Sequence, residues 1–203
     1  MTPTRTDSPV KGWWRSPAKW FAAAIIAAPL NILAHELGHF LTGLAFHHPR
    51  VVLHYTSVSS DAAGAGYPRW QLAIVAAAGP LVTVAIVLLC CYLAARYRPH
   101  PLIVAMGLFA PLKFSVGLVF LYYWISGVRN SSPNFDEFIV AKQAGISPFF
   151  PIFIGVAVLV GGWFLLVRSI PKSERILALA ASIVGAIAGL ALYGGLIGPW
   201  LLP

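Results

Sequence analysis

The residues of this chain best suited to chemistry are His35, Glu36 and His39, in the stretch AHELGHF. On a helix, positions four apart share a face, so both imidazoles can reach one ion. Glu36 sits about 100° round from His35, close enough to act on a water beside that ion without ligating it. This is the H-E-x-x-H arrangement, in which two histidines hold zinc and the glutamate serves as general base. Zinc makes water acidic enough to react near pH 7, even away from bulk solvent. One zinc ion is the expected cofactor, with His35 and His39 as ligands and Glu36 as the catalytic base.

The surroundings sharpen that reading. FAAAIIAAPLNIL precedes the motif and FLTGLAF overlaps its end, and both are almost wholly apolar. Each strongly polar group costs about 2–3 kcal/mol or more at membrane depth, so three together need a compensating role. Metal binding supplies one. Two histidines are not a complete catalytic zinc site, which has three protein ligands and an open position. The elements around the motif must therefore deliver a third.

Those elements are membrane spans. Of 203 residues, 59% are hydrophobic and only 10% charged, whereas a soluble domain carries about 25% charged residues. Runs long enough to cross a bilayer occur at 18–46, 70–95, 101–127, 149–168 and 176–198. The expected fold is an all-α polytopic membrane protein with about five transmembrane helices. The first run is too long for a signal peptide and lacks a cleavage site. Within the loop at 47–69, Val51, Val52, Tyr55, Thr56 and Val58 favour extended backbone, so a short β-hairpin is expected there. The loop at 128–148 predicts a turn at Asn130–Asn134 followed by a short helix. Residues 1–17 read as a basic cytoplasmic tail, 18–145 as the catalytic membrane core, and 146–203 as two additional helices.

The net charge of +8 forms no continuous patch, which argues against nucleic acid as a partner; the lipid bilayer accounts for the chain better. Basic residues favour the segments on the N-terminal side of the membrane: Arg5, Lys11, Arg15, Lys19, Arg96, Arg98, Arg168, Lys172 and Arg175, against Arg50, Arg69, Arg129 and Lys142 opposite. By the positive-inside rule the N-terminus is cytoplasmic in a multi-pass plasma or inner membrane protein. The tryptophans and tyrosines near span ends, including Trp13, Trp14, Trp20, Trp70, Tyr122, Tyr123 and Trp200, read as interfacial anchors. Cys90 and Cys91 read as packing, and Gly185 and Gly189 as a site of close helix approach.

The motif lies in the second half of the first span, so a third ligand should come from that span's exit side. Asp61, Asp136, Glu137, His47, His48 and His54 all qualify. HELGH in a first core helix, AAAGP (Ala76–Pro80) in the next and an acidic residue after the third resembles the site-2 protease family of intramembrane zinc metalloproteases. The resemblance covers roughly 20–145. It implies an aspartate as third ligand, which the segment NSSPNFDEF matches at Asp136, with Glu137 as the alternative. It also implies hydrolysis of peptide bonds in or near transmembrane segments of membrane-protein substrates. Glu137 stands where the family has glycine, and Leu-Val-Thr follows AAAGP where many relatives carry asparagine. Family members usually open their site to the cytosol, whereas the charge distribution places it on the opposite side.

Two more polar residues lie at depth. Asn31 shares a face with His35 and is a candidate to orient a ligand or substrate, or to bond a neighbouring helix. Lys113 lies mid-span, a candidate to hold a carboxylate or polarise a carbonyl, or else to snorkel. Pro29 is expected to kink the first span. Other functions compatible with the motif are a zinc or divalent metal transporter and a catalytically inactive relative that binds membrane proteins.

Overall fold

A computed structural model describes residues 17–97, 100–111, 118–119, 122–123, 125–127 and 135–202. The helices are α1 (Pro17–Ala45), α2 (Arg69–Arg96), α3 (Pro101–Phe109), α4 (Asp136–Ala144), α5 (Phe149–Ser169), α6 (Arg175–Leu192) and α7 (Gly198–Leu201). A π-helical segment, Tyr193–Ile197, joins the last two into one continuous rod. Among the described residues, four helices are long and apolar enough to cross a membrane: Pro17–Ala45, Arg69–Arg96, Phe149–Ser169 and Arg175–Leu201. The fifth expected span, 101–127, begins as α3, and helical positions recur at Leu118, Val119, Tyr122, Tyr123 and Ile125. Residues 112–117, which include Lys113, lie outside the described residues, as do the expected turn at Asn130–Asn134 and the tail.

The hairpin expected in the first loop forms. β1 (Val52–Leu53) pairs antiparallel with β2 (Val58–Ser59), with Val52 opposite Ser59 and Leu53 opposite Val58. His54 N–H donates to the Ser57 carbonyl at 2.8 Å and closes the turn. The short helix expected in the third loop is α4. Asp136 and Glu137 occupy its first turn and Lys142 its last, which suits the helix dipole. Gly145 ends it at φ 69°, a left-handed cap that glycine adopts without steric cost.

The motif-bearing helix α1 lies at the centre, packed on by α2, α3 and α6. Small residues permit this. Ala23, Ala24, Ala27 and Ala28 are buried on α1, and Gly185 and Gly189 of α6 lie against it. A Cβ on Gly189 would sit 2.8 Å from Ile25 Cα, so only glycine lets the helices approach this closely. Pro29, four residues on, has no N–H to offer the Ile25 carbonyl. That carbonyl lies against Gly189 instead.

One aromatic departs from expectation. Trp20 is not an interfacial anchor but part of the core, 3% exposed among Val104, Leu108, Leu166 and Ile170. The cause is the crowding of α1, whose faces are covered by neighbouring helices at that level. Trp70 and Trp200 remain exposed, as anchors would. Cys90 is buried and packs at the core as a free thiol.

Candidate metal centre and adjoining cavity

Helix α1 presents His35 and His39 one turn apart, and α2 makes the space for them. Gly38 of α1 lies against the backbone of Ala78, where a Cβ would come 2.8 Å from the carbonyl oxygen. Opposite the imidazoles stands Gly79, the glycine of AAAGP. A Cβ there would fall 2.7 Å from His35 Nε2, and closer still to His39 Nε2. Gly79→Ala is therefore expected to push the rings apart and weaken zinc binding by about tenfold or more, the scale of an overpacked site. Zinc titration, with helical content checked by circular dichroism, measures this.

Each imidazole is oriented through its other nitrogen. His39 Nδ1 lies 2.7 Å from the Val75 carbonyl, which can only accept, so Nδ1 carries the proton. His35 Nδ1 lies 2.9 Å from Thr83 Oγ1, whose hydroxyl donates to the Gly79 carbonyl at 3.2 Å. The Thr83 oxygen thus accepts from His35 Nδ1–H. In the neutral rings both Nε2 atoms then hold lone pairs, and both point to one spot: they are 3.2 Å apart. Asp136 Oδ2 joins them at 2.9 Å from His35 Nε2 and 3.3 Å from His39 Nε2. Three electron-pair donors converging this closely repel unless protons or a cation lie among them. Two imidazole nitrogens and a carboxylate oxygen are the donor types of a catalytic zinc site, and among the described residues this is the group whose ligand atoms lie close enough to share an ion.

Asp136 reaches the histidines because α4 packs on α2. Burial would raise its carboxyl, but the imidazoles of His35 and His39, where they carry a proton on Nε2, outweigh burial and hold it well below the usual carboxylate range. Its neighbour Glu137 is buried but stands outside the triad. The other exit-side candidates stand outside the group that can share an ion. Asp61 pairs with Arg50 at 3.4 Å on the exposed surface, and His54 bonds Ser59 at 3.0 Å within the hairpin. The His47 carbonyl accepts from the Tyr67 hydroxyl at 2.7 Å. Asn31 does not touch a ligand: its amide donates to the Met106 carbonyl at 3.0 Å, bonding α1 to α3.

Glu36 is 2% exposed, yet it lines a cavity of about 590 Å³ together with His39 and Asp136. The hairpin contributes Thr56, Ser57 and Val58 to the same cavity, and Ser60, His48, Glu137 and Gln143 add to its polar lining. A space of this size accepts several residues of an extended peptide.

Sequence reasoning passed over Thr83, Val75 and Tyr193. Thr83 was legible in part, because it lies four residues after Gly79 on the same face of α2. Val75 acts through its backbone, which no side-chain pattern reveals. Tyr193 is buried at the π-helical segment, a feature frequent at functional sites. Its hydroxyl donates to the Tyr55 carbonyl at 2.9 Å, and it lies within electrostatic reach of Glu36. The C-terminal rod is thereby tied to the hairpin turn beside the cavity. Tyr193→Phe removes one hydrogen bond worth about 1 kcal/mol, so amide exchange at 54–58 is expected to quicken by roughly fivefold. Hydrogen-exchange mass spectrometry reads this directly.

The fold and site together define a class: a helical membrane protein with a buried two-histidine, one-aspartate cluster beside a glutamate-lined cavity. No family model, curated protein or solved structure matches the chain.

Proposed function

We propose that this protein is a membrane-embedded zinc metalloendopeptidase of the site-2 protease kind. It hydrolyses a peptide bond in or near a transmembrane segment of a membrane-protein substrate. One observation carries the reading: His35 Nε2, His39 Nε2 and Asp136 Oδ2 converge within 3.3 Å, beside a buried Glu36 that opens on a peptide-sized cavity. His35, His39 and Asp136 would hold the ion, and Thr83 and the Val75 carbonyl keep the imidazoles in the ligating tautomer. Bound zinc supplies Lewis-acid polarisation and an acidified water.

The chain's own residues account for the rest. Glu36 takes the proton from the attacking water and delivers it to the leaving amine. The buried setting keeps bulk water from the site, while the cavity beside the hairpin admits a locally unwound segment. The distribution of Lys and Arg supports an N-terminus in the cytoplasm and a cavity towards the opposite side of a plasma or inner membrane.

The test uses protein purified in detergent. Elemental analysis should find close to one zinc per chain, and a transmembrane model substrate should be cut. Chelation should stop cleavage, and zinc should restore it. Protein that carries no zinc, or that cleaves equally well when stripped of metal, overturns the reading.

A further inference from the structure

His48 lies in the loop that leaves α1, and the backbone around it is tied on both sides. Its own N–H donates to the Gly43 carbonyl at 3.0 Å. The His47 carbonyl before it accepts from the Tyr67 hydroxyl at 2.7 Å, and the Pro49 carbonyl after it accepts from the Asp61 N–H at 3.1 Å. Within this stretch His47, at φ 55°, and Arg50, at φ 49°, take the left-handed conformation without being glycine. Such backbone persists only where its surroundings over-determine it, and it gathers at sites that place a side chain for use.

The side chain so placed is unsatisfied. His48 is 6% exposed, and its Nε2 has no hydrogen-bond partner among the described residues. Its ring leans on Tyr67 at a centroid distance of 4.5 Å and on Phe46 at 6.2 Å. Those contacts fix the plane of the ring and leave the nitrogen unpaired, which is costly for a buried polar atom. His48 is also part of the wall of the 590 Å³ cavity that adjoins Glu36, His39 and Asp136. The group left to partner it is one carried by whatever fills that cavity. Burial lowers the basicity of the ring, so near pH 7 it is neutral and carries one N–H and one lone pair. A backbone amide complements either, whereas a neutral ring offers a charged side chain no countercharge.

We infer that His48 is a positioning residue for a peptide in this cavity, hydrogen-bonding one backbone amide group of the extended chain. The inference rests on the protease reading for the peptide's purpose there, but the hydrogen bond is a property of binding. A contact to backbone selects an unwound segment rather than a particular side chain. In an intact substrate helix the backbone groups are already paired with one another, and only an opened turn has an amide to offer His48.

A Leu/Ala-rich transmembrane peptide carrying a photo-crosslinker, and a series in which one backbone amide at a time becomes an ester, test this with the full chain. An ester removes the N–H and weakens the carbonyl as an acceptor. Flash crosslinking reads capture and gel analysis reads cleavage. In wild type an ester at one position should lower capture by about five- to tenfold, the scale of one hydrogen bond in a desolvated wall. In His48→Phe that same ester should lose its effect, while His48→Gln, which keeps a donor and an acceptor, should retain part of it. Zinc content equal to wild type checks the fold of both variants. A merely structural role would lower capture of every peptide alike and leave the ester profile unchanged, which overturns the inference. A wild-type profile in which no single ester matters overturns it too. A His48-dependent ester profile without cleavage upholds the inference and rejects the protease reading. Cleavage with a profile indifferent to His48 does the reverse, and neither capture nor cleavage rejects both.

Discussion

Glu36→Gln protein is expected to keep its zinc and to lose hydrolysis by about 10²–10⁴-fold, the contribution of a positioned general base. The two effects separate because Glu36 is outside the group of residues able to share the ion but lines the cavity with His39 and Asp136. Glutamine keeps the shape of the side chain and can still hydrogen-bond, but it cannot take a proton from water at neutral pH. The fold should be unaffected, since the amide fits the same volume. Zinc content by elemental analysis and single-turnover cleavage of a transmembrane substrate measure the two effects on one preparation. A variant that cuts at wild-type rate removes Glu36 from the mechanism, and one that loses its zinc makes it a ligand.

Asp136→Asn is expected to weaken zinc binding by more than 100-fold, whereas Glu137→Gln should leave it within a few fold. Removing partners that merely orient ligands costs about 10–100-fold in affinity, and Asp136 stands in direct contact with both Nε2 atoms. Asparagine offers a neutral oxygen in place of the charged carboxylate oxygen that stands against both rings. The neighbouring carboxylate cannot substitute. Successive residues on α4 point about 100° apart, so turning Glu137 to the triad would require rotating the helix off α2. Zinc competition with a chromophoric chelator, run on both variants, checks this. Comparable loss from the two would mean that both acids bind the ion; loss from Glu137→Gln alone would exchange their roles.

The first span shows how much of the site was legible in the chain. Spacing alone placed His35, Glu36 and His39 on adjoining faces of one helix, because helical periodicity is a local property of the backbone. The cost of polar groups in an apolar run singled them out, and the structure gathers His35 and His39 with Asp136. The hairpin and α4 were legible for a related reason: β-branched residues at 51–58, and acids followed by Lys142 and Gly145, act over a few residues. Gly185 and Gly189 announced close packing, though not that α1 was the partner. Trp20 misled, since its place near a span end suited an interface while its fate depended on which helices covered α1. Asn31 left two roles open, and the Met106 carbonyl of α3 took it.

By itself, the sequence determined the solvent, the four long apolar helices found among the described residues, and two histidines on one helix face with a glutamate beside them. These follow from composition and from periodicities of the chain with itself. Only the tertiary structure decided which acid meets the histidines, that Thr83 and Val75 orient the rings, and that Gly79 leaves them room. Each of those depends on how α2 and α4 dock on α1. Docking is settled by the fit of surfaces far apart in sequence, and no local pattern encodes that fit.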